Sequence, residues 1–149
     1  YRTDYGYVGD IIKVDASLVQ ELLDKGYIPV LSSIASGYDE DVSYNINADL
    51  AAEKIAIALK AEKFILLTNV SGVMKNIEDP ESLIPSIQVS KVRSLEKEGI
   101  ISGGMIPKVQ CCVEAVRQGI HSANIQDGRI PHSILIELFS DQGVGTMFY

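Results

Sequence analysis

The stretch Tyr44-Asn45-Ile46-Asn47-Ala48-Asp49-Leu50-Ala51-Ala52 leads through an apolar run into Phe64-Ile65-Leu66-Leu67-Thr68-Asn69-Val70-Ser71-Gly72-Val73. Two asparagines and an aspartate stand where a helix should begin. Side chains of these types accept hydrogen bonds from the unpaired N–H groups of a first turn. With Asn47 as the N-cap, Asp49 falls in that turn, where the helix dipole favours a carboxylate. Capping accounts for one or two of these residues but not for all three. From Ala51, the residues Ala51, Ile55, Ala58 and Leu59 keep a helical spacing, with Glu53, Lys54 and Lys60 as the polar remainder. This predicts a largely buried helix. Phe64 to Thr68 is short, continuous and apolar, which predicts a strand covered on both faces of a parallel sheet. Ligands collect beyond the carboxyl ends of such strands, and Asn69-Val70-Ser71-Gly72 sits at such an end.

Upstream, Val8 to Val14 reads as a strand, and Asp15 or Ser17 caps a short helix striped with Leu18, Val19, Leu22 and Leu23. Gly26 closes it. Tyr27 to Ile34 reads as a second strand with Pro29 near its start. Residues 35–43 form a solvated acidic loop or hairpin tip. Downstream, Asp79-Pro80 and Ile84-Pro85 predict an irregular loop over 76–86, and a short charged helix runs from Ser90 to Gly99. Met105, Val109, Cys112, Val113 and Val116 then mark a helix beginning near Met105, with Pro107 in its first turn. Lys108 lies close to the positive end of that helix, where it is disfavoured by up to about 1 kcal/mol. An anion should offset it. Gly103 and Gly104, helix-terminal N–H groups and Lys108 together make a plausible phosphate cradle, although the spacing is not that of a P-loop. A tight turn with a solvated lysine is the plainer alternative. His121 to Ile125 reads as a strand, 126–129 as its turn, Pro131 as a helix start with Ile134, Leu135, Leu138 and Phe139 inward, and the end as a strand after Gly145. Alternating strands and helices give an α/β class with a mainly parallel sheet.

With 149 residues and 46% hydrophobic content the chain has material for one domain with a substantial core. A formal charge of −7 argues against broad nucleic-acid or anionic-membrane binding. No apolar run reaches membrane-spanning length, and the opening residues lack signal-peptide character. Cys111 and Cys112 are adjacent and have no other partner, which fits a reducing compartment. With two histidines and no CxxC spacing, no zinc site is expected. Core packing is the expectation for Cys112, a surface or capping place for His132, and an acidic partner for Arg129.

Four blocks in order resemble the amino acid kinases, and among them the acetylglutamate kinase branch. They are Tyr44 to Asp49, Leu66 to Val73, Ser102-Gly103-Gly104-Met105-Ile106-Pro107-Lys108, and Asp127-Gly128-Arg129-Ile130-Pro131-His132 with Gly143-Val144-Gly145-Thr146. The resemblance implies a three-layer αβα fold of the carbamate kinase-like kind. It implies phosphoryl transfer from ATP, with Mg2+, to the side-chain carboxylate of N-acetyl-L-glutamate, in arginine biosynthesis. Lys108 would stabilise the transferring phosphoryl group, and Asp49 would orient catalytic lysines. Asn45 and Asn47 would hold the acylated substrate. Thr68, Asn69, Val70, Ser71, Gly72, Val73 and Met74 would bracket the nucleotide with Ile100, Ile101, Ser102, Gly103 and Gly104. Glu137 and Gly143 match an arginine-effector site, although Asn124 stands where arginine-inhibited relatives have His.

Members of this family are about twice as long, and their amino-terminal half supplies a glycine-rich loop, a second lysine and most of the acyl-amino-acid pocket. Residues 1–149 therefore read as the carboxyl-terminal, nucleotide-binding part, a fragment inactive alone. The resemblance further implies a homo-oligomeric full-length form, the signalling protein PII as a partner, and a place in the cytoplasm or plastid stroma. Two alternatives stay open. One is another amino acid kinase, of the glutamate 5-kinase, aspartokinase or uridylate kinase type. The other is a non-catalytic nucleotide-sensing domain.

Overall fold

The structure is a computed structural model that describes residues 6–140 and 143–149. Residues 1–5, read above for signal-peptide character, lie outside the described residues. In chain order the elements are α1 (Ser17–Asp24), β1 (Ile34–Ser36), β2 (Ser43–Asn45), α2 (Ala48–Ala58), β3 (Lys63–Thr68), β4 (Ser86–Ile87), α3 (Val92–Lys97), α4 (Met105–Arg117), β5 (Ser122–Asp127), α5 (Ser133–Phe139) and β6 (Gly145–Phe148). Short 3-10 turns cover Pro80–Ser82 and Val89–Lys91. No helix among the described residues is long and apolar enough to cross a membrane.

The main sheet has the order β3-β5-β6-β4. The β3–β5 and β4–β6 pairs are parallel and the β5–β6 pair is antiparallel, so the sheet is mainly parallel. Successive side chains of a strand face opposite sides, and β5 is buried at all of its positions. Its Asn124 and Gln126 reach Glu137 and Ser133 of α5, while Ala123 and Ile125 join the core with Val109, Cys112 and Val113 of α4. Helices thus cover β5 on both sides, which is the three-layer α/β arrangement. Fully buried Phe148 and Ile125 each contribute about 1.5–3 kcal/mol of apolar transfer to this core.

Several local expectations hold. Asn47 Oδ1 accepts the Leu50 N–H at 3.1 Å and caps α2. Gly26 ends α1 with φ +80°, in the left-handed region that suits glycine. Pro107 stands in the first turn of α4, and Arg129 pairs with Asp127.

Others are corrected. Val8 to Val14 is no strand: only Val8 bridges Asn45. Tyr27 to Ile34 is none either. Strand begins at Ile34, in the two-stranded hairpin β1–β2, and Ile28 and Val30 are 90% and 94% exposed. An extended apolar run becomes a strand only beside a neighbour that takes its backbone hydrogen bonds. Among the described residues no such neighbour lies there. The stripe of α1 is likewise unburied. Strand β3, at an edge of the sheet, is fully covered on one face only, with Phe64 and Leu66 buried and Leu67 45% exposed. The predicted turn at 126–129 starts late, since β5 continues through Asp127. Helix α5 begins at Ser133 and not at Pro131, after His132 in a left-handed conformation. The charged helix over 90–99 shortens to α3 behind a 3-10 turn, and β4 was not foreseen within the Pro-bounded loop. Helix α2 is half-buried, and its one fully buried residue is Glu53, which the spacing placed on the polar side.

Candidate functional site

Helices α2 and α4 pack together with Asp49 and Lys108 facing each other near their N-terminal ends. Lys108 Nζ donates to Asp49 Oδ2 at 2.7 Å, and both side chains are about a quarter exposed, 25% for the lysine and 29% for the aspartate. Asp49 is therefore the anion that offsets Lys108 at the positive end of its helix. Asn47, Asp49, Gly104 and Lys108 line one cavity of about 740 Å³, which runs along the α2–α4 groove past Glu53 and Cys111. The quarter-exposed ammonium, the glycine turn with φ +54° at Gly103 and two converging helix N-termini lie together, an arrangement that can take an anionic group.

The other residues singled out by sequence fall into three places. Asn45 belongs to the hairpin, where its backbone pairs with Tyr7 and Gly9, and it does not line that cavity. Thr68 to Met74 leaves the carboxyl end of β3, next to Asp127 of β5. Here Val73 is buried, its N–H donates to Thr146 Oγ1 at 2.8 Å, and the Thr146 hydroxyl donates to Ile84 O at 2.7 Å. Gly72 has φ +149°, and a Cβ there would stand 2.6 Å from Thr146 Oγ1, so packing alone requires this glycine. Ile101 is 1% exposed and serves the core, whereas Ser102 and Gly103 turn into α4.

Glu137 and Gly143 do come together: a Cβ on Gly143 would lie 3.5 Å from Glu137 Oε2. Glu137 Oε1 accepts from Asn124 Nδ2 at 2.7 Å and from Lys63 Nζ at 3.2 Å. Among the described residues, Glu137 Oε2, Asn124 Oδ1 and Gln126 Oε1 are buried acceptors with no hydrogen-bond partner. At the carboxyl end of β5, Arg129 clasps Asp127 through its side chain and its backbone N–H, holding that carboxyl at about 2. Burial, then the Glu53 carboxylate, pushes the Cys111 thiol up to about 12, and burial pushes Cys112 up as well.

Sequence reading missed Lys63 and Glu53. Lys63 carried no signal beyond opening a strand. Glu53 did carry one, because it lies four residues after Asp49 and so shares its helix face.

The family model described as "Amino acid kinase family" matches residues 2–127. The chain belongs to the amino acid kinase family. It is 56% identical over 146 residues to an acetylglutamate kinase of Clostridium beijerinckii, covering 98% of this chain and 51% of that protein. It is 54% identical to that of Heliobacterium modesticaldum, covering 97% and 49%. Among solved structures it is similar to an N-acetylglutamate synthase from Neisseria gonorrhoeae complexed with coenzyme A and L-arginine. That match has a TM-score of 0.85 and 28% identity, and covers 98% of this chain and 33% of the other. The chain thus spans about half the length of these acetylglutamate kinases. The amino acid kinase fold of the relatives agrees with the three-layer α/β arrangement described above.

Proposed function

We propose that this chain is the nucleotide-binding part of an acetylglutamate kinase, which transfers the terminal phosphoryl group of ATP to the side-chain carboxylate of N-acetyl-L-glutamate. One observation carries the reading: the Lys108 ammonium stands against Asp49 at the joined N-termini of α2 and α4. A carboxylate acceptor is already ionised at neutral pH, so no general base is needed. In-line positioning and neutralisation of phosphate charge remain to be supplied. Lys108 meets the negative charge, Asp49 holds it in place, and the N–H groups of α2 and α4 add fixed positive potential.

Mg2+ fits as a companion of the nucleotide. Among the described residues no group of three or more His, Cys, Asp or Glu gathers to hold a metal, so its ligands would be phosphate oxygens and water, to which it would lend charge neutralisation. Asn45 and Asn47 are proposed for the substrate, and 68–74 with 100–104 for the nucleotide. A PII partner, homo-oligomeric assembly, and a place in the cytoplasm or plastid stroma enter through the family resemblance alone.

The test is acyl-phosphate trapping with hydroxylamine. Fused behind the amino-terminal half of the Clostridium beijerinckii relative, the chain should form the hydroxamate of N-acetylglutamate from ATP. Alone it should form little or none. Lys108→Ala in the fusion should lower turnover by roughly a hundredfold or more, the scale of a preorganised electrostatic donor. A fusion that forms no hydroxamate of N-acetylglutamate from ATP would refute the reading.

Arginine is proposed as an effector at Glu137 and Gly143. A buried carboxylate oxygen of Glu137 and the amide oxygens of Asn124 and Gln126, without partners among the described residues, suit a guanidinium, which only donates. The related synthase was crystallised with L-arginine. A flat activity curve of the fusion against arginine would remove this.

A further inference from the structure

We propose that Thr146 is a positioning residue for the nucleotide, its buried hydroxyl holding the backbone of residues 69–73 in the shape that receives it. The proposal rests on the reading of 68–74 as a nucleotide-binding segment. Beyond β3 the chain doubles back, and Met74 bridges Leu83 in antiparallel fashion. On either side of that bridge, Lys75 N–H donates to Ser82 O at 3.1 Å and Ile84 N–H donates to Val73 O at 2.9 Å. Val73 and Ile84 thus stand as a hydrogen-bonded antiparallel pair, in which each residue ordinarily donates to the carbonyl of the other. Here one bond is direct and the return runs through a side chain of β6. Val73 N–H donates to Thr146 Oγ1 at 2.8 Å, and the Thr146 hydroxyl donates to Ile84 O at 2.7 Å.

A hydroxyl serves as this relay because a single atom both accepts and donates. Valine would fill the same space and do neither, so packing alone does not ask for threonine. Thr146 is 0% exposed and Val73 1%, and the amide that the hydroxyl holds has no water to turn to. The same oxygen is what a Cβ on Gly72 would meet, so the segment is packed onto the hydroxyl as well as bonded to it. Behind Thr146 the scaffold is the middle of the sheet: β6 lies between β5 and β4, with Thr146 opposite Ile125. At the other end of the segment, Thr68 is paired with Asp127 of β5, and its carbonyl accepts the Gly128 N–H at 2.8 Å. Asn69, Val70, Ser71 and Gly72 therefore span two fixed points, and a ligand does not have to order them on arrival. Without the hydroxyl the second point is released.

Isothermal titration of MgATP into the parent chain, Thr146→Val, Thr146→Ser and Phe148→Leu tests this, together with amide exchange of Val73 followed by NMR. Thr146→Val should weaken binding roughly fivefold or more, the scale of a buried donor left without its acceptor. Thr146→Ser keeps the hydroxyl and should stay within about twofold of the parent. Phe148, two residues on in β6 and 0% exposed, serves the core. Phe148→Leu should lower stability while leaving affinity within about twofold, which separates positioning from stability. In Thr146→Val the Val73 amide should exchange roughly tenfold faster relative to the amides of β5. Unchanged affinity in Thr146→Val, a Thr146→Ser or Phe148→Leu variant that binds as weakly as Thr146→Val, or a Val73 amide that keeps pace with β5 would overturn the proposal. If Thr146→Val does not fold, Thr146→Ala, equally without the hydroxyl, carries the same expectations. A parent chain that binds no MgATP would refute the kinase reading, and the exchange of Val73 would then decide whether the hydroxyl holds the segment.

Discussion

The two ends of the Asp49–Lys108 pair should differ in what they cost to remove, and helix dipoles set the sign. Asp49 lies in the first turn of α2, where a carboxylate gains roughly 0.3–1 kcal/mol, and Lys108 lies near the same positive end of α4, where an ammonium loses a similar amount. The N–O distance of 2.7 Å is ideal, but both side chains remain about a quarter exposed, so the pair itself is worth on the order of 1 kcal/mol. Lys108→Ala gives up the pair but relieves α4, for a net cost of about 0–1 kcal/mol. Asp49→Ala gives up the pair, removes the favourable carboxylate of α2 and leaves Lys108 unopposed, for about 2 kcal/mol. Urea unfolding followed by circular dichroism at low salt measures both, and a shared slope shows that only stability has changed. The gap should narrow in 1 M salt as the charges are screened. Inorganic phosphate should stabilise Asp49→Ala more than the parent, because it replaces the lost anion beside Lys108. A Lys108→Ala variant as unstable as Asp49→Ala at low salt would refute this account of how the site is charged.

A methyl group at residue 145 would stand 2.2 Å from the Ile125 carbonyl oxygen and 2.8 Å from Gln126 Cβ. Gly145→Ala should therefore force β5 and β6 apart and cost about 3 kcal/mol or more in urea unfolding. Asn47→Ala removes the α2 cap and should cost about 1 kcal/mol by the same measurement, whatever it does to ligand binding. Asp127, held at about 2 by Arg129, has a depressed folded-state value, so its contribution to stability is complete above about pH 4 and is lost as the pH falls toward 2. Arg129→Ala should move acid unfolding to higher pH, and an unmoved midpoint would show that this clasp contributes nothing to stability.

What the sequence disclosed followed from local chemistry. Asn47 announced a cap and Met105 to Val116 an apolar helical face because their signals are complete within one or two turns. Lys108 and Asp49, 59 residues apart, could be brought together only through the family resemblance, since no spacing rule joins two helices separated by two strands and a third helix. The misread strands share one cause. Tyr27 to Ile34 has the composition of a strand and β3 that of a two-sided one, but strand formation and burial depend on neighbours that no local pattern contains. Glu53 failed differently: a glutamate on a helix reads as solvated, and only the approach of α4 buries it.

The order β3-β5-β6-β4 places residues 145–148, the latest of the described strands in chain order, between two earlier ones. Among the described residues no other strand pairs with β4. On a ribosome, Ser86 and Ile87 must wait until the segment sixty residues behind them has left the exit tunnel. Until then the seam along β5 stays open with its hydrogen-bonding groups bare. Nascent chains of this kind should lean on a holdase until β6 has emerged.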